Sequence, residues 1–238
     1  MKLEEVTAKA PERNTQDVLL GVRAFKCGRG FPNTSITFND MDPNVPWKGD
    51  FVCDRMGLTS LVGCPKKIVD GGSQYGNGLF SCHGNKLRSL KGGPEEVANN
   101  YDCSHNYLRN FVGAPERLSK KGVFFGTQNI LDSLEGVPRV AFEVSLVLCE
   151  IKSLAGIHRM FDHLEMIDVS GNTIHECVLG LLLVPGLFSA LYTQGTPTVN
   201  NVFKIVNEHL RSSPFGNRRV LECQNELLDA GLEAFAKL

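Results

Sequence analysis

The sequence predicts an α/β repeat fold: a solenoid with a curved parallel sheet, closed by a helical C-terminal cap. Three observations lead there. Six segments between residues 51 and 174 share one apolar skeleton in register. Their starts lie 20–29 residues apart, the period of stacked repeat units. Beyond Asn172 the alternation of strands gives way to the spacing of helices.

The clearest copies are Phe80-x-Cys82-x-x-Asn85-x-Leu87-x-x-Leu90-x-Gly92-x-Pro94 and Tyr101-x-Cys103-x-x-Asn106-x-Leu108-x-x-Phe111-x-Gly113-x-Pro115. Upstream, Phe51, Cys53, Met56, Leu58, Leu61, Gly63 and Pro65 keep the same spacing, as do Phe124, Gly126, Asn129, Leu131, Leu134, Gly136 and Pro138 downstream. A fifth copy, Val144, Leu146, Cys149, Ile151, Leu154 and Gly156, puts Cys at the Asn position. The last is Ile167, Val169, Asn172 and Ile174. The steps are 29, 21, 23, 20 and 23 residues.

This skeleton resembles that of leucine-rich repeats. The wording Cys-x-x-Asn-x-Leu-x-Ser-Leu-x-Gly-x-Pro resembles, more narrowly, repeat proteins of large tailed bacteriophages. The stretch from Leu221 to Glu233 looks like the helical tail those proteins often carry. The resemblance implies architecture and a viral source, not a reaction.

Each position has a physical reason. The first apolar residue of a copy and the residue two later point the same way along a strand, so they stack inward as ladders. The Asn can pair with backbone groups left open by the following turn. The Leu or Ile two residues after it closes the core from the returning side. Gly permits the reversal and Pro fixes the next φ. Stacks of this kind need capped ends.

Residues 1–50 hold no clear copy and read as an N-terminal capping segment. Ile36-Thr-Phe38 is expected as a truncated edge strand, with Trp47 covering the first repeat. The solenoid spans 51–175 and the helical cap 176–238. In the cap, Glu176–Ala190 reads as a helix broken near Pro185, Thr198–Ser212 as a second with Thr198 as N-cap, and Asn217–Leu238 as a third.

Composition excludes several classes. With 42% hydrophobic and 21% charged residues the chain is globular rather than disordered. Its net charge of −1 argues against a protein that works by neutralising phosphates. The N-terminus lacks the apolar core of a signal peptide, so the eight cysteines are expected as reduced thiols. The apolar run Cys177–Tyr192 is short for a membrane span and carries Pro185-Gly186, so it reads as a buried helix. These observations predict a cytoplasmic protein, in the host cytoplasm given the viral resemblance, with the virion as the alternative.

Cys82-His83 and Cys103-x-His105 invite a metal reading. The repeat explains them better, because Cys53, Cys82 and Cys103 share one inward rung and no Cys-x-x-Cys or His-x-x-x-His pair exists. No metal or cofactor is expected. The 29-residue step places its excess at Asp70–Gly78, a glycine-rich surface insertion without a phosphate-loop pattern.

The outward strand positions are the informative surface, and the candidate partner-binding residues are Asp54, His83, Asp102, Ser104, His105, Phe125, Thr127, Val147 and Asp168. His83, Asp102, Ser104 and His105 lie on neighbouring rungs, where an acid–base pair is geometrically possible, yet polar residues on a sheet face need no catalytic explanation. Phe125 with Val147 reads as the anchor of a protein-binding concave face. The expectation is therefore a non-enzymatic protein-interaction module. A virion component is the alternative, and an enzyme or nucleic-acid binder ranks below it, since no Lys/Arg cluster lines the face. The pairs Lys120-Lys121 and Arg218-Arg219 read as solvated.

Overall fold

A computed structural model describes Phe25–Lys26, Phe38, and residues 41–72, 76–212 and 216–238. Its strands, in chain order, are β1 (Phe25–Lys26), β2 (Trp47–Lys48), β3 (Phe51–Val52), β4 (Lys67–Val69), β5 (Phe80–Ser81) and β6 (Glu96–Val97). They continue as β7 (Tyr101–Asp102), β8 (Val123–Phe125), β9 (Val140–Ser145), β10 (His163–Asp168) and β11 (Ser189–Leu191). Two helices follow, α1 (Pro197–Ser212) and α2 (Asn217–Asp229).

The repeat skeleton becomes a solenoid because its rungs pair in register. Phe51 lies opposite Phe80, Phe80 opposite Tyr101, Tyr101 opposite Phe124, Phe124 opposite Val144, and Val144 opposite Ile167, all in parallel. All six side chains are fully buried. Burying one such side chain contributes roughly 1.5–3 kcal/mol, so the ladder is a large part of the fold's stability. The aromatic rungs also stack, with centroids 5.9 Å apart for Phe51–Phe80 and 5.6 Å for Tyr101–Phe124.

The main sheet runs one strand further than predicted at each end. Its order is β1-β3-β5-β7-β8-β9-β10-β11. Phe25 pairs with Phe51, so residues 1–50 do hold a copy, marked by Phe25-x-Cys27. The copy is hard to see because Gly30 stands where the Asn belongs. At the other end Ala190 pairs with Ile167. This corrects the predicted helix over Glu176–Ala190: the segment forms a 3₁₀ helix over Leu179–Leu183 and then enters β11. Pro185-Gly186, with Gly186 at φ +88°, turns the chain between the two. The apolarity of this run serves burial on all sides, which a strand or a helix satisfies equally.

A second parallel sheet, β2-β4-β6, lies on the returning side. Its register places Trp47 opposite Ile68 and Ile68 opposite Val97. Among the described residues the α-helices are confined to the C-terminal end, so the coils themselves are β-built. Trp47 packs edge-on against Phe51 at 5.2 Å, as expected of a first-repeat cover, and Phe38 joins them at 5.8 Å from Phe51. Apart from Phe38, the predicted strand at Ile36 lies outside the described residues.

The Asn column forms a second ladder. Asn85 Nδ2 donates to Cys53 O and Cys82 O, while its Oδ1 accepts from the N–H groups of Met56 and Leu58. Asn106, Asn129 and Asn172 repeat the pattern one, two and four coils on. Cys149 takes the missing place, and its Sγ lies 3.1 Å from Gly126 O. The Sγ also lies 3.6 Å from Val147 O, so the thiol keeps two of the amide's contacts and forgoes the rest.

Core volume is traded between positions. Gly126 replaces the inward Cys because Phe111, larger than the Leu of other coils, fills its space: a Cβ on Gly126 would lie 2.6 Å from the Phe111 ring. Phe111 meets Phe124 edge-on at 4.9 Å. Gly113, at φ +104°, is fixed by its turn, since a Cβ there would strike the Leu90–Lys91 backbone at 2.5 Å.

The C-terminal helices close the stack. Asn207 of α1 imitates a further strand: its Oδ1 accepts from Ala190 N–H at 2.9 Å and its Nδ2 donates to Ala190 O at 2.7 Å. Tyr192 ends the Asn ladder by donating its hydroxyl to Asn172 O at 2.5 Å, and its ring stacks on Phe203. The helix begins at Pro197, not Thr198, and Thr196 Oγ1 accepts from Val199 N–H as the cap. The α2 helix ends at Asp229 rather than Leu238, ahead of Gly231 at φ +71°. Arg219 is not solvated as predicted but buried, donating to Leu182 O. Among the described residues no helix is long and apolar enough to cross a membrane.

Candidate binding face of the sheet

The outer face of the main sheet is built from two rows that alternate with the buried rungs. The first runs Val52, Ser81, Asp102, Phe125, Ser145, Asp168 and Leu191, each residue opposite the next. The second, two residues on, holds Asp54, His83, Ser104, Thr127, Val147 and Ser170. Neighbours within a row are separated by about 4.8 Å, the strand spacing.

A third feature lies next in sequence. The fifth residue of each coil from β3 onward is left-handed: Arg55, Gly84, His105, Gln128, Leu148, Gly171 and Gln194 all have φ between +54° and +69°. This turn lifts the chain out of the strand and, in four of the coils, aims the following Asn85, Asn106, Asn129 or Asn172 inward. Five of the seven are not glycine, although that conformation costs roughly 1–2 kcal/mol per L-residue. At His105 and Gln128 the bonds of the Asn that follows offset that cost.

The polar half of the face is closely connected. Asp54 Oδ1 accepts from Ser81 Oγ at 2.5 Å and from His83 N–H at 2.9 Å. Asp102 Oδ1 accepts from Ser104 N–H at 2.9 Å, and its other oxygen lies 3.9 Å from His83 Nδ1. His83 and His105 meet edge to face with centroids 4.6 Å apart. Burial, then the charge of His83, holds His105 below the ordinary histidine range. The structure therefore brings Asp54, His83, Asp102, Ser104 and His105 together. Ser104 is buried, so it supports the cluster from below rather than meeting a partner.

The apolar half lies beside it. Phe125 and Val147 are half-buried, and Leu148 is 43% exposed. Thr127 Oγ1 lies 3.2 Å from Ser145 Oγ beneath them. Asp168 stands two strands from Phe125 in the same row, and its Oδ1 is engaged by Ser170 N–H. Sequence reasoning missed a row one residue before the rungs: Val123, Glu143 and Met166 are mutually opposite and half-buried. The alternation that marks Phe125 and Ser145 as outward marks these too. Burial, and then Asp168, pushes the Glu143 carboxyl above the usual range.

The thiols lie beneath this surface. All seven described cysteines are buried and unbridged. Burial raises the Cys82 and Cys103 thiols well above the ordinary range, and Cys149 to about 11. No group of three or more metal-ligating side chains comes together among the described residues.

The insertion at Asp70–Gly78 is closed at its base. Gly71 N–H donates to Gly76 O, and the Asp50 carboxylate accepts from the N–H groups of Gly78 and Leu79. Residues 73–75 lie outside the described residues. A hollow of about 500 Å³ opens on the flank, between Ile130–Leu134 and Glu150–Met160. Its lining contains none of the partner-binding residues predicted from the sequence.

Comparison of the chain with models of known families, with curated proteins and with solved structures finds no match.

Proposed function

We propose that this chain is a leucine-rich-repeat-type binding module, encoded by a large tailed bacteriophage and acting in the host cytoplasm, that docks a partner protein on the outer face of its main sheet. One observation carries the reading. A register-locked sheet presents Phe125 on one strand and Val147 and Leu148 at the end of the next, partly open to solvent, with Val123 and Met166 on the same face. Apolar groups held on a preorganised surface lose little entropy on docking, so they serve as anchors. The surrounding Asp, Ser, His and Thr side chains supply the polar rim such interfaces have. The function invoked is recognition, and it draws on no cofactor.

Affinity capture from phage-infected bacteria tests this. The wild-type chain should retain a host protein that the Phe125→Asp variant loses, and Phe125→Ala should weaken the complex by on the order of 1–3 kcal/mol. Near neutral pH the affinity should change little with salt, unlike a phosphate-binding surface. Unchanged binding by Phe125→Asp would remove the face assignment. Recovery of the chain in purified particles, with no host protein retained, would make it a virion component.

A further inference from the structure

The left-handed column is the outermost row of the face. Arg55, His105, Gln128, Leu148 and Gln194 are exposed, whereas Asp54 and Asp102 are partly buried and turned toward Ser81, His83 and Ser104. Gly84 leaves a gap in that column, and Arg55 lies across it: a Cβ on Gly84 would meet Arg55 Cγ at 2.9 Å. The guanidinium is thereby carried toward His105, whose protonation it opposes. Among the described residues, no carboxylate pairs with Arg55.

We propose that Arg55 and His105 form a proton-gated contact for an acidic segment of the partner protein, laid along the left-handed column. The proposal rests on the outer-face reading given above and names the partner's chemistry. Its logic is one of charge. Three titratable or charged groups act on the imidazole of His105, namely His83, its own coil's Asp102 and Arg55, while Asp54 adds a second carboxylate to the patch by its bond to His83 N–H. With the imidazoles neutral, one cation stands against two carboxylates, and the patch repels an acidic ligand. Protonating His105 brings the patch to neutrality, and with both imidazoles protonated it is positive.

The exposed guanidinium then offers a forked donor to a carboxylate, and the imidazolium a second charge-assisted bond. Because burial and His83 delay protonation of His105, the reversal falls on the acid side of the ordinary histidine range. A carboxylate that binds the protonated ring also stabilises that proton, so affinity and proton uptake rise together.

The test uses the full chain and a short poly-L-aspartate peptide as probe, titrated by calorimetry. Lowering the pH from about 7.5 to about 5.5 should tighten binding on the order of tenfold, with proton uptake on binding. Arg55→Gln should abolish the tightening, and His105→Gln should flatten the pH profile. Arg109→Gln, at a flank residue paired with Asp132 at 2.9 Å, should leave both unchanged. Melting curves establish that each variant is folded. A pH profile unaltered in His105→Gln, or a single-stranded oligonucleotide of equal charge bound more tightly than the peptide, would overturn the proposal. A flat profile together with a host partner lost in Phe125→Asp would leave the face in place and dismiss the gate alone.

Discussion

The two halves of the solenoid solve the same problem differently. From β3 to β8 the rungs are aromatic, the strands are two or three residues long, and most of the inter-coil bonding at the turn runs through Asn85, Asn106 and Asn129. From β9 to β11 the rungs are Val144, Ile167 and Ala190, the Asn ladder is interrupted by Cys149, and β9 and β10 lengthen to six residues each. Where the side-chain ladder is complete, little strand is needed. Where it lapses, backbone pairing extends to replace it.

Substitutions can break or sharpen that contrast. The largest loss is expected for Asn106→Leu, which leaves the buried Leu87 N–H without a partner and takes one of two donors from each of the carbonyls of Cys82, Cys103 and Ser104. At about 1–3 kcal/mol for the unpaired N–H and about 0.5–1.5 kcal/mol for each further bond lost, roughly 3–6 kcal/mol should be lost in denaturant unfolding. Cys149→Ala, at the equivalent position of the other half, should cost only about 1 kcal/mol. Equal losses would show that the ladder does not distinguish the halves.

Leu108→Ala comes next. At a fully buried rung it should cost roughly 2–5 kcal/mol in the same measurement. Tyr101→Phe should be neutral or stabilising by up to about 1 kcal/mol, because the buried hydroxyl has no partner within the aromatic stack. A clear loss of stability would mean that this hydroxyl is satisfied in solution.

The smallest effect concerns His105. Its folded-state pKa is lowered, so the neutral ring stabilises the fold above the unfolded value near 6.5, and that contribution disappears as the pH falls through the lower folded value. The melting temperature should therefore drop slightly more between neutral and mildly acid pH in the wild type than in His105→Gln.

The inner architecture was legible because each buried position recurs. Phe80, Cys82, Asn85 and Leu87 return with the same spacing at Tyr101, Cys103, Asn106 and Leu108, and stacking demands that identity. The second sheet was hidden because Trp47, Ile68 and Val97 sit in stretches too short to show alternation. The end strands were hidden for another reason. Phe25 and Ala190 each lack the Asn that follows five residues later, since Gly30 and Gly195 stand there. At Gly195 the space belongs to the Tyr192 ring, 2.0 Å from where a Cβ would lie. The face was legible as alternation but not as chemistry, because the contact of His83 with His105 and the reach of Arg55 depend on side-chain direction.

The exchange of volume between Phe111 and Gly126 bears on how such a protein can change over time. A repeat chain grows most simply by duplicating or reshuffling its units. Here the coil beginning at Tyr101 can be followed only by one with glycine at its third position, because a thiol there would collide with the phenyl ring. Moving either coil elsewhere leaves a clash or a hole. The units share a pattern but are not interchangeable parts, and their order is written into the packing.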